Sequence, residues 1–599
     1  MGSPLRMSQA AVRQALLQYP LDGVRQWLSF TQPLYVIGAD ELHEVPSALA
    51  AAEQAVAQGN WVVGMVSYDA GPAFDQAVRS ARMRRVPLVS FGVFSAPQRE
   101  DPPTQSGGYQ VGPWVANRSQ PAYLTTIRTI RELIGAGETY QVNHTVRLRS
   151  PFSGDPRGLF GDLVRAQQAD HAAYLDLGDR AVCSVSPELF VSREGRQLTA
   201  RPMKGTIGRH PDPLWDALAA EHLARSEKDL AENTMIVDMV RNDLSRIADL
   251  GSVKVSALHT VESYPTVHTM TSTVTAESDA SVAEVFSALF PPASITGAPK
   301  VRTTEIIEAL EGDGRGAYTG AIGVMAPGGD FEFNIAIRTV WVDLAQGRAE
   351  YGVGGGIVWD SDPDEEWREV EQKTRVLNRA RPDFRLLETM RWDPTHGVDL
   401  RSLHLERLVA SAQHFSFDLD LETVNHVLDE VAAEGPHRLR LLVAPDGAVE
   451  LQVLDLPLTE TEPWLVPFNT HPVLSENEYL FHKTTYRDVF TQAREQFPQA
   501  PDVVLWNERG ELTETTTGNL VIEIDGRLVT PPISCGLLPG TFRAHLLAQG
   551  VISEAPILRT QVTAETKAWM INSVRRWVPV VFDFSSRSTE SAKKSSRQS

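Results

Sequence analysis

Cysteine is almost absent from this chain of 599 residues, which carries only Cys183 and Cys535, and neither belongs to a CxxC pair. A disulfide framework and a cysteine-ligated zinc site are therefore not indicated, and a reducing compartment fits best. Also lacking is any apolar run near the roughly 18 residues that a membrane helix needs. The first residues show no charged-then-apolar secretory pattern. The expectation is a soluble, cytoplasmic protein with no membrane partner. Net positive charge is missing too, since 56 lysines and arginines against 76 acids leave a formal charge of -20. Nonspecific nucleic-acid binding, which depends on cations neutralising phosphates, is disfavoured. A small anionic substrate is not, because a pocket can gather cations locally while the surface stays acidic.

What is present is a globular composition, 42% hydrophobic and 22% charged, over a length that exceeds one ordinary core. Residues 47–57 read as helix, and 61–68 and 88–94 as strands, before a Pro/Gly/Ser-rich break at 101–108. The next stretch predicts a helix over 123–134, a strand over 139–148 and a hairpin of 173–177 with 181–185 around Gly178-Asp179. A long helix follows at 226–247. Strands at 317–325 and 331–342 are joined by Pro327-Gly328-Gly329-Asp330, and a helix follows at 365–379. These elements do not alternate as a doubly wound sheet requires, so the fold class is α+β. At Arg381-Pro382-Asp383 the chain starts again, with strands at 384–389, 438–443, 503–506 and 519–524 and a helix at 404–415. Residues 585–599 have no large apolar side chain and are expected to be disordered. The expected boundaries are an N-terminal part at 1–115, a catalytic domain at 116–381, a second domain at 384–582 and a tail at 583–599.

Lys204 lies in Arg201-Pro202-Met203-Lys204-Gly205-Thr206. A lysine held with little mobility and partly out of water loses its charge easily and becomes a nucleophile, whereas most Lys-Gly pairs are solvated turns. Two acidic pairs stand at helical spacing, Asp229 with Glu232 and Glu366 with Glu369. Each pair shares one helix face, and carboxylates converging from two helices suit Mg²⁺; taken singly, such pairs are usually solvated. Between them, Tyr351-Gly352-Val353-Gly354-Gly355-Gly356 offers backbone N–H groups to an anion or else is a bulged strand end. Arg338, ending an apolar strand, is of the type that grips a carboxylate bidentately.

Residues from about 120 to 380 resemble the chorismate-utilising enzymes, the family of anthranilate, isochorismate and salicylate synthases and aminodeoxychorismate synthase component I. The matching motifs are Ser186-Pro187-Glu188-Leu189-Phe190, the Lys204 segment and Ala231-Glu232-Asn233-Thr234-Met235. They continue through Arg241-Asn242-Asp243, Thr296-Gly297-Ala298-Pro299-Lys300, the glycine run and Asp362-Pro363. The resemblance implies a large α/β sandwich domain with Mg²⁺ on Glu232 and Glu369, supported by Asp229 and Glu366 through water. It implies that Tyr318 and Arg338 hold the enolpyruvyl carboxylate of chorismate. Lys373 and Gly354, Gly355 and Gly356 would anchor the ring carboxylate, with Thr296 in the substrate site. Lys204 stands where the aminodeoxychorismate synthases have a lysine nucleophile and anthranilate synthases an alanine. Gln141 stands where the water-using members carry a lysine base, and a neutral amide cannot deprotonate water. Thr269 stands where anthranilate synthases place a histidine that aids pyruvate loss. Neither cysteine lies in a glutaminase-like elbow, so a separate glutamine amidotransferase subunit is the expected ammonia source.

The second half carries Phe481-His482-Lys483-Thr484, Gly510-Glu511-Leu512-Thr513-Glu514, Gly536-Leu537-Leu538-Pro539-Gly540-Thr541 and His404-Leu405-Glu406-Arg407. A lysine, an acid, a Gly/Thr loop and an arginine together suit pyridoxal 5'-phosphate. This half resembles the fold-type IV pyridoxal phosphate enzymes. The resemblance implies Lys483 as the Schiff-base lysine, Glu514 as partner of the pyridine nitrogen, and Arg407, Leu538 and Thr541 around the phosphate. Together the two resemblances imply amination of chorismate at C4, then elimination of pyruvate to 4-aminobenzoate. The alternatives are a fusion to a fold-type IV aminotransferase, an anthranilate synthase component I, and a cofactor-free docking module at the C-terminus.

Overall fold

The computed structural model describes residues 11–103, 108–378, 382–457 and 462–584, and the tail expected at 585–599 lies outside them. It divides into two compact units, one of Met1–Gly208 with Ala220–Arg381, the other of Arg209–Ala219 with Pro382–Ser599. Among the described residues no helix is long and apolar enough to cross a membrane.

The first unit is built on two large antiparallel sheets. One, of 11 strands, runs through Gln141–Gly154, Arg348–Ile357, Thr339–Asp343, Arg180–Ser186, His171–Asp176 and Gln14–Leu21. The other, of 10 strands, runs through Met203–Gly208, Val267–Glu277, Gln197–Arg201, Leu189–Glu194, Phe331–Ile335, Ala321–Met325 and Trp61–Val66. Period-2 alternation turns Leu17, Leu175 and Val182 from the first and Val63, Ile322 and Val324 from the second into one shared core. The outer faces are closed by helices: Val45–Ala57, Glu227–Ser245 and Val282–Leu289 cover one, Gln120–Gly135, Pro156–Gln167 and Lys300–Glu311 the other. Strands from the N-terminal region are integral to both sheets, Leu17 pairing with Ala173 and Gly64 with Gly323.

One expected element is different. The apolar run 331–342 is not a single strand but two, Phe331–Ile335 in one sheet and Thr339–Asp343 in the other. The chain changes sheets at Arg338, whose φ of 51° is a left-handed value that ends regular pairing. Residues 317–320 likewise form a turn, and the strand begins at Ala321.

The second unit has a four-stranded sheet centred on Leu386–Asp393 and His437–Val443, covered by helices Arg401–Phe415 and Leu421–Asp429. An eight-stranded sheet includes Leu512–Thr515, Asn519–Ile524, Ala568–Asn572 and Arg576–Asp583. Its stretch Arg209–Ala219, unforeseen in the sequence, is held by an Arg209–Asp216 ion pair at 2.6 Å and by a 3.1 Å hydrogen bond between Arg209 and the His414 ring.

Candidate active sites

In each unit a large cavity gathers most of the residues singled out in the sequence. That of the first unit encloses about 590 Å³. Lys204 reaches it because its strand, Met203–Gly208, carries one residue more than its partner. Met203 pairs with Thr271 and Thr206 with Thr269, so a bulge falls at Lys204-Gly205. Gly205 has a φ of +86°, a conformation open to glycine and costly for other residues. The lysine is only 8% exposed, and burial pulls its pKa below the ordinary value, against the opposing field of Glu232.

The glycine run is a straight strand, paired residue for residue from Arg348 to Ile357 with Gln141–Gly154. Its other neighbour pairs only as far as Tyr351. Beyond that point one edge carries no ladder partner among the described residues, which leaves the backbone N–H groups on that edge to a bound anion. At Gly356 a methyl group would lie 2.2 Å from Gln141 Nε2 and 2.7 Å from Lys204 Nζ. Glycine leaves room there for the ends of both side chains, which a larger residue would displace. Both amide atoms of Gln141 are buried without a hydrogen-bond partner.

Asp229, Glu232, Glu366 and Glu369 all line this cavity, the first two from Glu227–Ser245 and the others from Pro363–Thr374. Among the described residues no three His, Cys, Asp or Glu side chains stand close enough to close a metal site by themselves. The chemistry of the four nevertheless suits a hard cation. Ser361 donates to Glu366 Oε1 at 2.7 Å, while Glu366 Oε2 is buried and unpartnered. Burial raises the pKa of Glu232, and burial with the field of Glu369 raises that of Glu366. Burial opposes ionisation of Glu369 too, but its ion pair with Lys373 outweighs this and keeps it charged.

Tyr318, Arg338 and Lys373 line the same cavity. The Lys373 amine also donates to Gly354 O at 2.9 Å, and its carbonyl receives Arg338 Nη1 and Tyr351 OH. Thr296 is not brought to the cavity wall: it is fully buried and its hydroxyl is donated to Pro292 O at 3.0 Å. Ser294 and Ile295 line the wall at that turn. In the sequence Glu188 stands out only as part of a motif, yet it is 3% exposed and lines the cavity. Ser294 Oγ donates to it at 2.6 Å and Met203 N at 3.3 Å. Burial pushes its pKa up to about 7, with Ser294 and Lys204 acting the other way. The available signal is a carboxylate placed directly before the apolar Leu189-Phe190-Val191.

The cavity of the second unit encloses about 540 Å³ and is lined by Arg407, Lys483, Glu514, Leu538 and Thr541. Burial, with the nearby Arg487 and Arg407, lowers the Lys483 amine to about 7, and burial raises Glu514 to about 8. Glu388 organises one wall, accepting from Arg407 at 2.9 and 2.7 Å and bonding the His404 ring at 2.6 Å. The other nitrogen of that ring is 3.2 Å from the Thr541 hydroxyl. The Leu538 N–H is turned to Glu514 at 3.1 Å, so it serves the acid rather than standing free for a phosphate.

Two opposed sheets around a lysine, paired carboxylates and a glycine-edged floor define the first unit, and residues 27–379 match the chorismate binding enzyme family, to which the chain belongs. Residues 385–581 match the class IV aminotransferases. Among curated proteins the chain is similar to aminodeoxychorismate synthase component 1 of Klebsiella aerogenes, 43% identical over 271 residues, or 44% of this chain and 59% of that protein. It is also similar to anthranilate synthase component 1 of Streptomyces coelicolor, 38% identical over 270 residues, or 45% of this chain and 52% of that protein. The chain thus spans a little over half the length of these relatives. The crystal structure of anthranilate synthase component I from Streptococcus pneumoniae superposes with a TM-score of 0.51 at 22% identity, over 63% of this chain and 95% of that one, which establishes the shared fold.

Proposed function

We propose that the first unit aminates chorismate at C4 and the second removes pyruvate from the product, giving 4-aminobenzoate. The observation that carries the first half is the Lys204 amine, buried on the glycine floor beside a neutral Gln141. An unprotonated Lys204 attacks ring C2, the double bonds shift and the 4-hydroxyl departs. Glu188, protonated at a pKa of about 7, gives that hydroxyl its proton so that it leaves as water. Ammonia then bonds to C4, the double bonds return and Lys204 departs with its electron pair. The ammonia comes from a glutamine amidotransferase subunit. Tyr318, Arg338 and Lys373 orient the two substrate carboxylates. Glu232 and Glu369, with Asp229 and Glu366 through water, would hold Mg²⁺, whose chemistry there is polarisation of the ring carboxylate. Thr269 gives its hydroxyl to Gly205 O at 2.9 Å, which supports a reaction that stops before pyruvate leaves.

In the second unit, a lysine near neutrality, a buried carboxyl raised to about 8 by its burial and an arginine fixed by Glu388 suit pyridoxal phosphate. When bound, that group supplies an electron sink for proton and pyruvate loss. Lys483 would hold it and move the proton, Glu514 would face its ring nitrogen, and Arg407 and Thr541 would hold its phosphate. Arg438, Arg440, Arg494 and Arg575 also line this cavity, an excess of cations suited to a substrate with two carboxylates.

The decisive experiment supplies chorismate, Mg²⁺, pyridoxal phosphate and ammonium and identifies the aromatic product. The expected product is 4-aminobenzoate. Anthranilate would sink the C4 assignment, and accumulated aminodeoxychorismate would sink the second step. A narrower expectation concerns Glu188. As an acid it works below about 7 and fails as pH rises through that value. At constant free ammonia the rate should therefore fall on the alkaline side, and Glu188→Gln should remove that limb and cost about a hundredfold in kcat. A limb that persists in the variant assigns the proton to another group.

A further inference from the structure

We infer that Thr269 is a positioning residue for Lys204, acting through the carbonyl of Gly205; the inference rests on the role given to Lys204 above. A bulge leaves its extra residue outside the ladder, so the backbone groups there need another partner. The Gly205 carbonyl receives the Thr269 hydroxyl at 2.9 Å, from a residue only 1% exposed. The neighbouring side chains on the Val267–Glu277 strand are engaged elsewhere. His268 bonds the Ser263 hydroxyl at 2.8 Å, and Thr271 donates to Glu262 at 2.7 Å. On the other side Gly205 lies against Asp229, since a methyl group there would sit 3.0 Å from both Cβ and Oδ1 of that residue. The bulge is thereby held between a carboxylate of the site and a hydroxyl from the adjacent strand.

The consequence falls on the preceding residue. Lys204 has a long side chain whose amine must reach one carbon of a fixed ring, and its starting point is the backbone that Thr269 fixes. A shift of about 1 Å in such a group can cost a hundredfold in rate without weakening substrate binding. Thr269 lines the cavity, but its hydroxyl proton is already committed to Gly205 and is not free for a reacting atom.

The test compares Thr269→Val, which keeps the shape and loses the donor, with Thr269→Ser, which keeps the donor. Two quantities are read in the full chain: kcat and KM for chorismate with ammonium, and the rate at which an acetylating reagent modifies Lys204, followed by peptide mass spectrometry with Lys373 as internal reference. Thr269→Val is expected to lower kcat by about tenfold or more with KM nearly unchanged, and to change Lys204 labelling relative to Lys373. Thr269→Ser should restore both. Where Val does not fold, Thr269→Ala takes its place. Wild-type labelling in the Val or Ala variant overturns the inference whatever the activity, as does a loss that Ser fails to rescue. Altered Lys204 labelling with an unchanged kcat leaves the positioning intact and instead defeats the reading of Lys204 as nucleophile.

Discussion

Lys204→Ala is expected to lower ammonia-dependent amination at C4 by roughly a thousandfold or more, the scale set by removing a covalent nucleophile. Mg²⁺ affinity, measured by calorimetry, should stay within a few-fold, because the carboxylates are carried by two helices and the backbone of the lysine's strand is unchanged by the substitution. The physical basis is the lysine's surroundings. It is buried, its charged form is disfavoured by lost hydration, and Glu232 and Glu188 oppose that loss only in part. An amine so placed is more often neutral at working pH than a solvated one and keeps its electron pair for bond formation. Lys204→Arg is expected to fare no better, since a guanidinium stays protonated and cannot attack carbon. If Lys204 merely supplied positive charge, arginine would retain a large part of the rate; unchanged C4 amination in the alanine variant would defeat both roles.

Much of this site could be read in the sequence, and the parts that could not share a cause. Helical spacing correctly placed Asp229 with Glu232 and Glu366 with Glu369 on single faces, because that relation is local and fixed by the helix period. What spacing does not encode is where two distant strands meet. Residues 331–342 contain neither glycine nor proline and are rich in strand-forming side chains, so nothing local marks Arg338 as the point where the chain leaves one sheet for the other. The turn at residues 317–320 was hidden in the same way, by apolar residues that suit both a strand and a packed corner. The glycine run reads from sequence as either a cradle or a bulge. It proves to be regular strand, and the bulge lies instead at Lys204-Gly205, where only the register with Thr269 and Thr271 exposes it. Motif membership singles out Glu188 and Thr296 but says nothing about direction: one carboxylate turns into the cavity, and one hydroxyl turns to the carbonyl of Pro292. Leu538 shows the same limit, since a backbone N–H has no signature that tells whether it will meet Glu514 or a phosphate.

The second large effect expected is at Lys483. Lys483→Ala should abolish the absorbance band near the visible edge that the purified protein acquires with pyridoxal phosphate, and should stop the chain at aminodeoxychorismate while leaving the first step near its normal rate. The argument turns on protonation. An ordinary lysine, with a pKa near 10.4, has on the order of one amine in two thousand unprotonated at neutral pH. Burial and two neighbouring guanidiniums bring Lys483 to about 7, where about half of it is the free amine that an aldehyde requires. Glu514, raised to about 8 by burial, is largely neutral in the same range and would ionise once a protonated ring nitrogen lies against it. Glu514→Gln should accordingly leave the lysine able to hold the group, with the band present but shifted, while the elimination slows far more than binding weakens. Loss of the band in both variants would make Glu514 a determinant of binding rather than of electron withdrawal. A normal band in Lys483→Ala would remove the lysine from the site altogether, and with it the basis for assigning the second unit a pyridoxal phosphate reaction.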